Sequence, residues 1–151
     1  MTDAADPRDQ QVAEILDVNA AFYAAFERAD FDAMAAIWAD DDAVVCVHPG
    51  ASPIRGQRDV MRSWLALMAH AQYIQFFLTE IEAAVVDDIA TVTCTENVLS
   101  AGADMPKDSF AGGSAAATNV FRRTADGWRL WVHHASPVLS VAPNDDGGGR
   151  A

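Results

Sequence analysis

Basic residues are scarce in this chain of 151 residues. Ten lysines and arginines stand against 22 aspartates and glutamates, so the formal net charge is −12 at pH 7 and the pI is near 4.4. Such a surface repels nucleic acid phosphates and anionic lipid headgroups. We therefore expect neither a nucleic acid nor a membrane as a partner.

Cysteine is also rare. Cys46 and Cys94 are the only two, and each lies in an apolar run without a CxxC pair. A disulfide framework or a metal site is therefore not expected, and two buried thiols suit a reducing compartment. No run approaches the roughly 20 apolar residues of a membrane span, and the polar N-terminus has no signal-peptide core. These absences predict a cytoplasmic protein without a metal or cofactor.

The first half of the chain has helical periodicity. Apolar residues recur at three- and four-residue steps from Asp9 to Phe26, which predicts an amphipathic helix of about five turns. Asn19 falls on the same stripe, either as a satisfied core amide or as a polar group of a pocket. Two shorter helices are predicted after Asp30, a natural N-cap, and after Gly56. A short β-branched strand over residues 43–48 separates them.

The second half has the two-residue period of strands. The predicted strands span residues 73–86, 89–99, 114–124 and 127–137. A loop is predicted over residues 100–113, which contain glycine and proline. Alternation in the second strand points Glu96 toward the apolar face.

Alternation in the last strand defines two faces. Trp128 and His134 share the inward face, whereas Trp131 and His133 share the outer one. Which of the two histidines faces the pocket stays open. A large exposed aromatic side chain on the outer face predicts a homodimer through that face.

These elements predict an α+β fold. Three N-terminal helices pack on a strongly curved antiparallel sheet, and such a sheet leaves a conical hollow suited to a ligand. The domain is predicted to span residues 9–139, between a disordered arm (1–8) and a disordered tail (140–151).

Three segments carry a family resemblance. They are ADFDAMAAIWADDDAVVCVHPG, IRGQRDVMRSW and NVFRRTADGWRLWVHHASP. In this order they resemble the SnoaL-like branch of the nuclear transport factor two-like superfamily, which also contains ketosteroid isomerase, scytalone dehydratase and limonene epoxide hydrolase. The resemblance covers roughly residues 10–138 and implies a conical, cystatin-like α+β barrel. Because this fold serves many activities, it does not by itself imply a function.

The resemblance also implies candidate site residues. His48 resembles the general base position of ketosteroid isomerase, although it could equally be a structural strand-end histidine. Asn119 resembles the position of the isomerase's acid, where its amide would donate to an oxyanion. The isomerase tyrosine position falls on Phe22, so a one-residue bulge would be needed to bring Tyr23 there.

Glu96 and His134 form a candidate acid/base pair, with a structural ion pair as the alternative. The hydrophobic wall of the hollow is predicted from aromatic side chains that are otherwise typical of a core. The predicted ligand-binding residues are Phe22, Tyr23, Trp38, Trp64 and Trp128.

Two functions follow from these residues. The first is a cofactor-independent isomerase, dehydratase or cyclase that uses His/Glu acid-base chemistry on a small apolar molecule. The alternative is a homodimeric, non-catalytic module that binds a small ligand.

Overall fold

The computed structural model of the chain describes residues 6–102 and 111–139. Nine helices and strands occur within these residues. They are α1 (Pro7–Glu27), α2 (Phe31–Ile37), β1 (Val45–Val47), β2 (Ile54–Arg55), α3 (Gln57–His70), β3 (Ala71–Val86), β4 (Ile89–Gly102), β5 (Ala111–Thr124) and β6 (Gly127–Pro137).

The first two helices begin at capping aspartates. The Asp6 carboxylate accepts a hydrogen bond from the Arg8 amide at 3.0 Å, and Pro7 needs no donor at the first helical position. Helix α1 therefore starts two residues before the predicted position. Asp30 accepts from the Ala33 amide at 3.1 Å, which confirms it as the N-cap of α2. The first five residues of the predicted arm lie outside the described residues.

The sheet has six strands in the order β2-β1-β6-β5-β4-β3. Strands β3 to β6 form the predicted antiparallel meander. Strand β1 extends it by pairing parallel to β6, and β2 pairs antiparallel to β1. The sheet is curved and does not close on itself, and the three helices pack on it. The predicted α+β fold class is thus confirmed.

The long strands extend into the region predicted as a loop. Strand β4 continues to Gly102 and β5 begins at Ala111, so strands occupy both ends of residues 100–113. Residues 103–110 lie outside the described residues, as does the predicted tail over 140–151.

A β-bulge interrupts β6. Val120 of β5 pairs with Val132, but the next residue, Phe121, pairs with Leu130, so Trp131 is the extra residue. The Trp131 indole N–H instead donates to the Ala43 carbonyl at 3.2 Å. Because strand side chains alternate with a period of two, one extra residue reverses the face of every residue that follows it.

The bulge decides which histidine faces inward. His133 is 2% exposed and lies in the interior, whereas His134 is exposed. The predicted inward orientation of His134 is therefore wrong, as is the outward orientation of His133. Trp131 is half-buried, and the Arg122 guanidinium lies 5.6 Å from its ring centroid. The structure therefore does not support the prediction that Trp131 is an exposed contact residue of a homodimer interface.

A hydrophobic layer closes the narrow end of the hollow. The largest apolar side chains that are almost fully buried are Phe22, Phe121, Ile15, Met34, Leu130, Val44, Val60 and Val92. These residues come from all three helices, from the strands and from the segment before β1. Helix α1 contacts β3, β4 and β6, so its inward face lies across the sheet from the β3 edge toward β6.

Candidate functional site

A cavity of about 470 Å³ lies between the helices and the sheet. Its lining is mostly apolar, and its polar side chains come from α1, β4, β5, β6 and the segment after β1. The lining residues are Phe22, Tyr23, Phe26, His48, Pro49, Trp64, Leu67, Ile74, Phe76, Glu96, Val98, Ser100, Gly112, Gly113, Ser114, Ala115, His133 and Pro137. A mostly apolar cavity with a few convergent polar groups is typical of a small-molecule site.

Glu96 is the buried carboxyl group of the cavity. It is 4% exposed, which confirms the predicted inward direction of its side chain. The Tyr23 hydroxyl donates to Glu96 Oε2 at 2.6 Å. Burial raises the pKa of Glu96, and the hydrogen bond from Tyr23 partly opposes that increase. Burial and the nearby Glu96 carboxylate raise the pKa of Tyr23, so the hydroxyl keeps its proton for donation.

His133 lies beside Glu96. Its Nε2 is 4.0 Å from Glu96 Oε2, and its Nδ1 is 2.5 Å from Asn119 Oδ1. Burial is the main cause that lowers the pKa of His133 to about 3, and the nearby His48 and His134 lower it further. His133 is therefore a neutral imidazole near neutral pH.

His48 approaches the cavity from the end of β1. Its Nε2 lies 2.9 Å from the Ser63 hydroxyl oxygen, and that hydroxyl donates to the Val60 carbonyl at 2.7 Å. Since the Ser63 proton is already used, His48 Nε2 must carry a proton, which leaves Nδ1 as the basic nitrogen. Burial lowers the pKa of His48, and its ring packs edge-on against Trp64 at 4.7 Å between centroids.

Asn119 is buried beneath the cavity and is not one of its lining residues. Its amide nitrogen donates to Asn19 Oδ1 at 2.8 Å and to the Tyr23 hydroxyl oxygen at 3.2 Å. An amide has two N–H donors, so these two bonds use both. The prediction that Asn119 donates to an oxyanion of a ligand is therefore wrong. Asn19 proves to be a satisfied core amide.

The predicted ligand-binding residues separate into two groups. Phe22, Tyr23 and Trp64 line the cavity, whereas Trp38 and Trp128 do not. Trp38 and Trp128 are 2% and 4% exposed and belong to the buried hydrophobic core. Aromatic spacing in the sequence cannot separate a cavity wall from the core next to it, because both are apolar.

Tyr23 reaches the site without a bulge in α1. The helix is uninterrupted from residue 7 to residue 27, and both Phe22 and Tyr23 line the cavity. The expectation that Tyr23 needs a one-residue bulge is therefore wrong. A sequence signal was present: Asn19 and Tyr23 are four residues apart, and such residues lie on the same helical face.

Two residues of the site were not predicted from the sequence: Ser63 was not named, and His133 was put on the outer face with the choice between it and His134 left open. The bulge that turns His133 inward leaves no mark in the alternation of β6. Ser63 follows Val60 by three residues on α3, a spacing that also puts both on one face.

Two further observations concern other kinds of site. Within residues 6–102 and 111–139, no group of three or more His, Cys, Asp or Glu side chains is arranged to hold a metal ion. Among the same residues, no helix has the length and apolar character needed to cross a membrane.

Comparison with families of known domains agrees with the fold. The family model for a SnoaL-like domain matches residues 15–140, most of the chain. This protein belongs to the SnoaL-like domain family. The match confirms the resemblance inferred from the three segments of the sequence.

Solved structures extend this SnoaL-like assignment. A proposed dehydratase of the NTF2-like family from Streptomyces avermitilis is 47% identical, with a TM-score of 0.80 over 87% of this chain and 99% of that one. A proposed calcium/calmodulin-dependent protein kinase type II association domain from Thiobacillus denitrificans is 36% identical, with a TM-score of 0.70 over 81% of this chain and 93% of that one. An NTF2-like protein from Novosphingobium aromaticivorans with a cystatin-like fold is 22% identical, with a TM-score of 0.70 over 88% and 85% of the two chains.

One curated relative is much longer than this SnoaL-like chain. It is the F-box protein SKIP8 of Arabidopsis thaliana, which is 26% identical over 125 residues. The match covers 83% of this chain and 50% of the relative, so the chain spans about half the length of that protein.

Proposed function

We propose that this SnoaL-like domain is a cofactor-independent acid-base enzyme that removes water from a small, uncharged, largely apolar molecule. The observation that carries the proposal is the convergence of Glu96, His48 and His133 on one apolar cavity. The S. avermitilis protein, itself a proposed dehydratase and 47% identical, supports dehydration over isomerisation or cyclisation.

The lining supports an uncharged ligand. No lysine or arginine lines the cavity among the residues that the structure describes, and the whole chain carries a net charge of −12. An anionic ligand would therefore enter without a partner charge, at a high desolvation cost. The aromatic rings of Phe22, Phe26, Trp64 and Phe76 form an apolar wall suited to a flat or branched hydrocarbon skeleton.

Dehydration needs a base and an acid in different protonation states. The lowered pKa of His48 favours an unprotonated Nδ1, and the raised pKa of Glu96 favours the protonated carboxyl group that a general acid needs. His48 Nδ1 removes a proton from the carbon next to a carbonyl. The electron pair of the broken C–H bond then forms the second bond of the new C=C group. The C–O bond breaks, and Glu96 gives its proton to the departing hydroxide, so that water leaves. Transfer of the proton from His48 back to Glu96 through solvent restores the site.

A neutral aromatic β-hydroxy ketone tests the proposal. The aldol adduct of acetone and benzaldehyde suits the cavity, and its dehydration product is a conjugated ketone that is followed by ultraviolet absorbance. We expect turnover that is lost in His48→Ala and Glu96→Gln, and retained in the control His134→Ala, whose side chain is exposed. The rate should fall in acid as His48 gains a proton and in alkali as Glu96 loses one. Turnover that persists in both site variants would refute these roles.

A non-catalytic function is the second candidate. The relative from T. denitrificans, 36% identical, is a proposed association domain and not a proposed enzyme. Under this alternative the cavity binds a small apolar molecule without converting it. The same adduct then raises the melting temperature equally in the parent protein and in His48→Ala, with no product formed.

We also propose a homodimer through the outer face of the sheet, with a different anchor from the one that the sequence suggested. Phe77 lies on the outer side of β3, opposite Asn97, and is 52% exposed. An exposed aromatic ring on a flat strand surface is typical of an interface. Sedimentation should show a dimer that dissociates in Phe77→Glu, whereas Glu82→Gln, farther along β3, should leave it intact.

A further inference from the structure

Asn119 connects three buried polar side chains, Asn19, Tyr23 and His133, that the proposed reaction does not fully use. Its own side chain is almost completely inaccessible, and Asn19 and His133 are each 2% exposed. Most buried polar groups in proteins are hydrogen-bonded, and leaving one unpaired costs stability. The direction of each bond therefore constrains the direction of the next.

The orientation of the Asn119 amide is determined from two sides. Tyr23 gives its hydroxyl proton to Glu96, so the Tyr23 oxygen can only accept in its contact with Asn119. Asn19 Oδ1 is also an acceptor, at 2.8 Å from the same amide nitrogen. The NH2 group of Asn119 must therefore face these two residues, and its Oδ1 must face His133.

The Asn119 oxygen determines which tautomer His133 adopts. Oδ1 can only accept, so His133 Nδ1, at 2.5 Å, must carry the proton. A neutral imidazole carries one ring proton, which leaves the lone pair on Nε2. That atom faces Glu96 Oε2 at 4.0 Å, in the wall of the cavity.

We propose that Asn119 is a positioning residue that holds His133 in the Nδ1–H tautomer and so makes His133 Nε2 a hydrogen-bond acceptor beside Glu96. The tautomer itself does not depend on the proposed function. Only its consequence rests on that function: His133 Nε2 accepts a hydrogen bond from the hydroxyl group that Glu96 protonates. An amide performs this positioning without charge. A carboxylate in the same place would favour the imidazolium ion, in which Nε2 carries a proton and has no lone pair to accept a hydrogen bond.

Several groups set the charge around His133. Tyr23 of α1 contacts Glu96 and Cys94 of β4. The titratable side chains next to His133 are His48 after β1, Glu96 of β4 and His134 of β6, and Cys46 of β1 is its neighbour across the sheet. The aromatic rings of Phe22 and Trp64 cover its remaining sides at 4.9 and 5.8 Å between ring centroids.

Nitrogen NMR of protein with labelled histidine tests the proposal without a substrate. The two tautomers give different nitrogen shifts and different couplings to the ring protons. We expect the parent protein to show His133 with a protonated Nδ1 and an unprotonated Nε2. An Nε2–H tautomer, or a rapid mixture of the two, would overturn the proposal.

Asn119→Asp supplies the second measurement. The aspartate keeps the acceptor for His133 Nδ1–H, so the tautomer should be retained while the titration of His133 moves upward by about one pH unit or more. Asn97→Asp, on the outer face of β4, is the matched control and should leave His133 unchanged. A titration that does not move in Asn119→Asp would overturn the positioning role, because a purely structural amide would not be coupled to the imidazole.

The outcome is separable from that of the proposed function. The tautomer is read from the resting protein, whereas dehydration is read from turnover and its loss in Glu96→Gln. If the tautomer is as expected and no turnover occurs, the positioning role stands and the dehydratase proposal fails. If turnover occurs with the opposite tautomer, the positioning proposal alone is refuted.

Discussion

Acid should unfold this protein mainly through His133. The imidazole is 2% exposed, and burial lowers its pKa to about 3, whereas in the unfolded chain it titrates near 6.5. Between these values the unfolded chain binds a proton that the folded protein does not, so the free energy of unfolding falls as the pH falls from about 6.5 toward 3. The separation of about 3.5 pKa units, at about 1.4 kcal/mol per unit, corresponds to a loss on the order of 5 kcal/mol.

Urea unfolding measured from pH 7 to pH 4 tests this expectation. In His133→Asn the side-chain amide can keep the donor to Asn119 and carries no charge at any pH, so the acid-dependent loss should largely disappear. The replacement leaves some empty volume, which lowers stability equally at each pH. His134→Asn, on the exposed neighbour, should keep the slope of the parent protein. Equal slopes in the parent protein and His133→Asn would refute the reasoning.

Three further predictions concern the site and a helix. Tyr23→Phe removes the donor to Glu96, so the pKa of Glu96 should rise further. The lost hydrogen bond stabilises the ionised carboxylate, so the free energy of unfolding should fall by about 1–3 kcal/mol, and by more at pH 8 than at pH 5. Equal losses at the two pH values would contradict this. Gly113→Leu should fill the cavity and abolish the thermal shift expected from the acetone–benzaldehyde adduct. The melting temperature of the variant itself should hold, because a Cβ at Gly113 meets nothing within 4 Å; Ala116→Leu, on the outer face of β5, is the control. Asp30→Ala should lower the free energy of unfolding by about 1 kcal/mol in urea titrations through loss of the α2 cap, whereas the exposed Asp32→Ala should not.

The fold could be predicted because its elements are long and regular. Helices α1 and α3 and the four long strands have clear periods of apolar residues, and the turns between strands contain aspartate or glycine. Strand β2 was missed because two residues, Ile54 and Arg55, are too few to show a period. Its pairing with β1 depends on the rest of the sheet and has no local signal.

The site could be predicted only in part, for a physical reason that differs between residues. Glu96 was placed correctly because β4 alternates without interruption from the turn to the cavity. His134 was placed wrongly because a bulge is a choice of hydrogen-bond register, which depends on the neighbouring strand and not on the residues of β6 alone. Asn119 was assigned by resemblance to a position, which says nothing about whether its hydrogens are already used.

The bulge in β6 therefore connects the fold to the chemistry. Without the extra residue Trp131, the exposed His134 would take the inward place, and His133 would face away from Asn119 and Glu96. The same bulge directs the Trp131 indole to the Ala43 carbonyl, just before β1, the strand that leads to His48. One irregularity in the sheet thus puts one imidazole into the cavity and supports the segment that carries the other. Under the proposed function, a ligand between them would meet two imidazole nitrogens that accept hydrogen bonds and the Glu96 carboxyl group, which together suit a hydroxyl group better than a charged one.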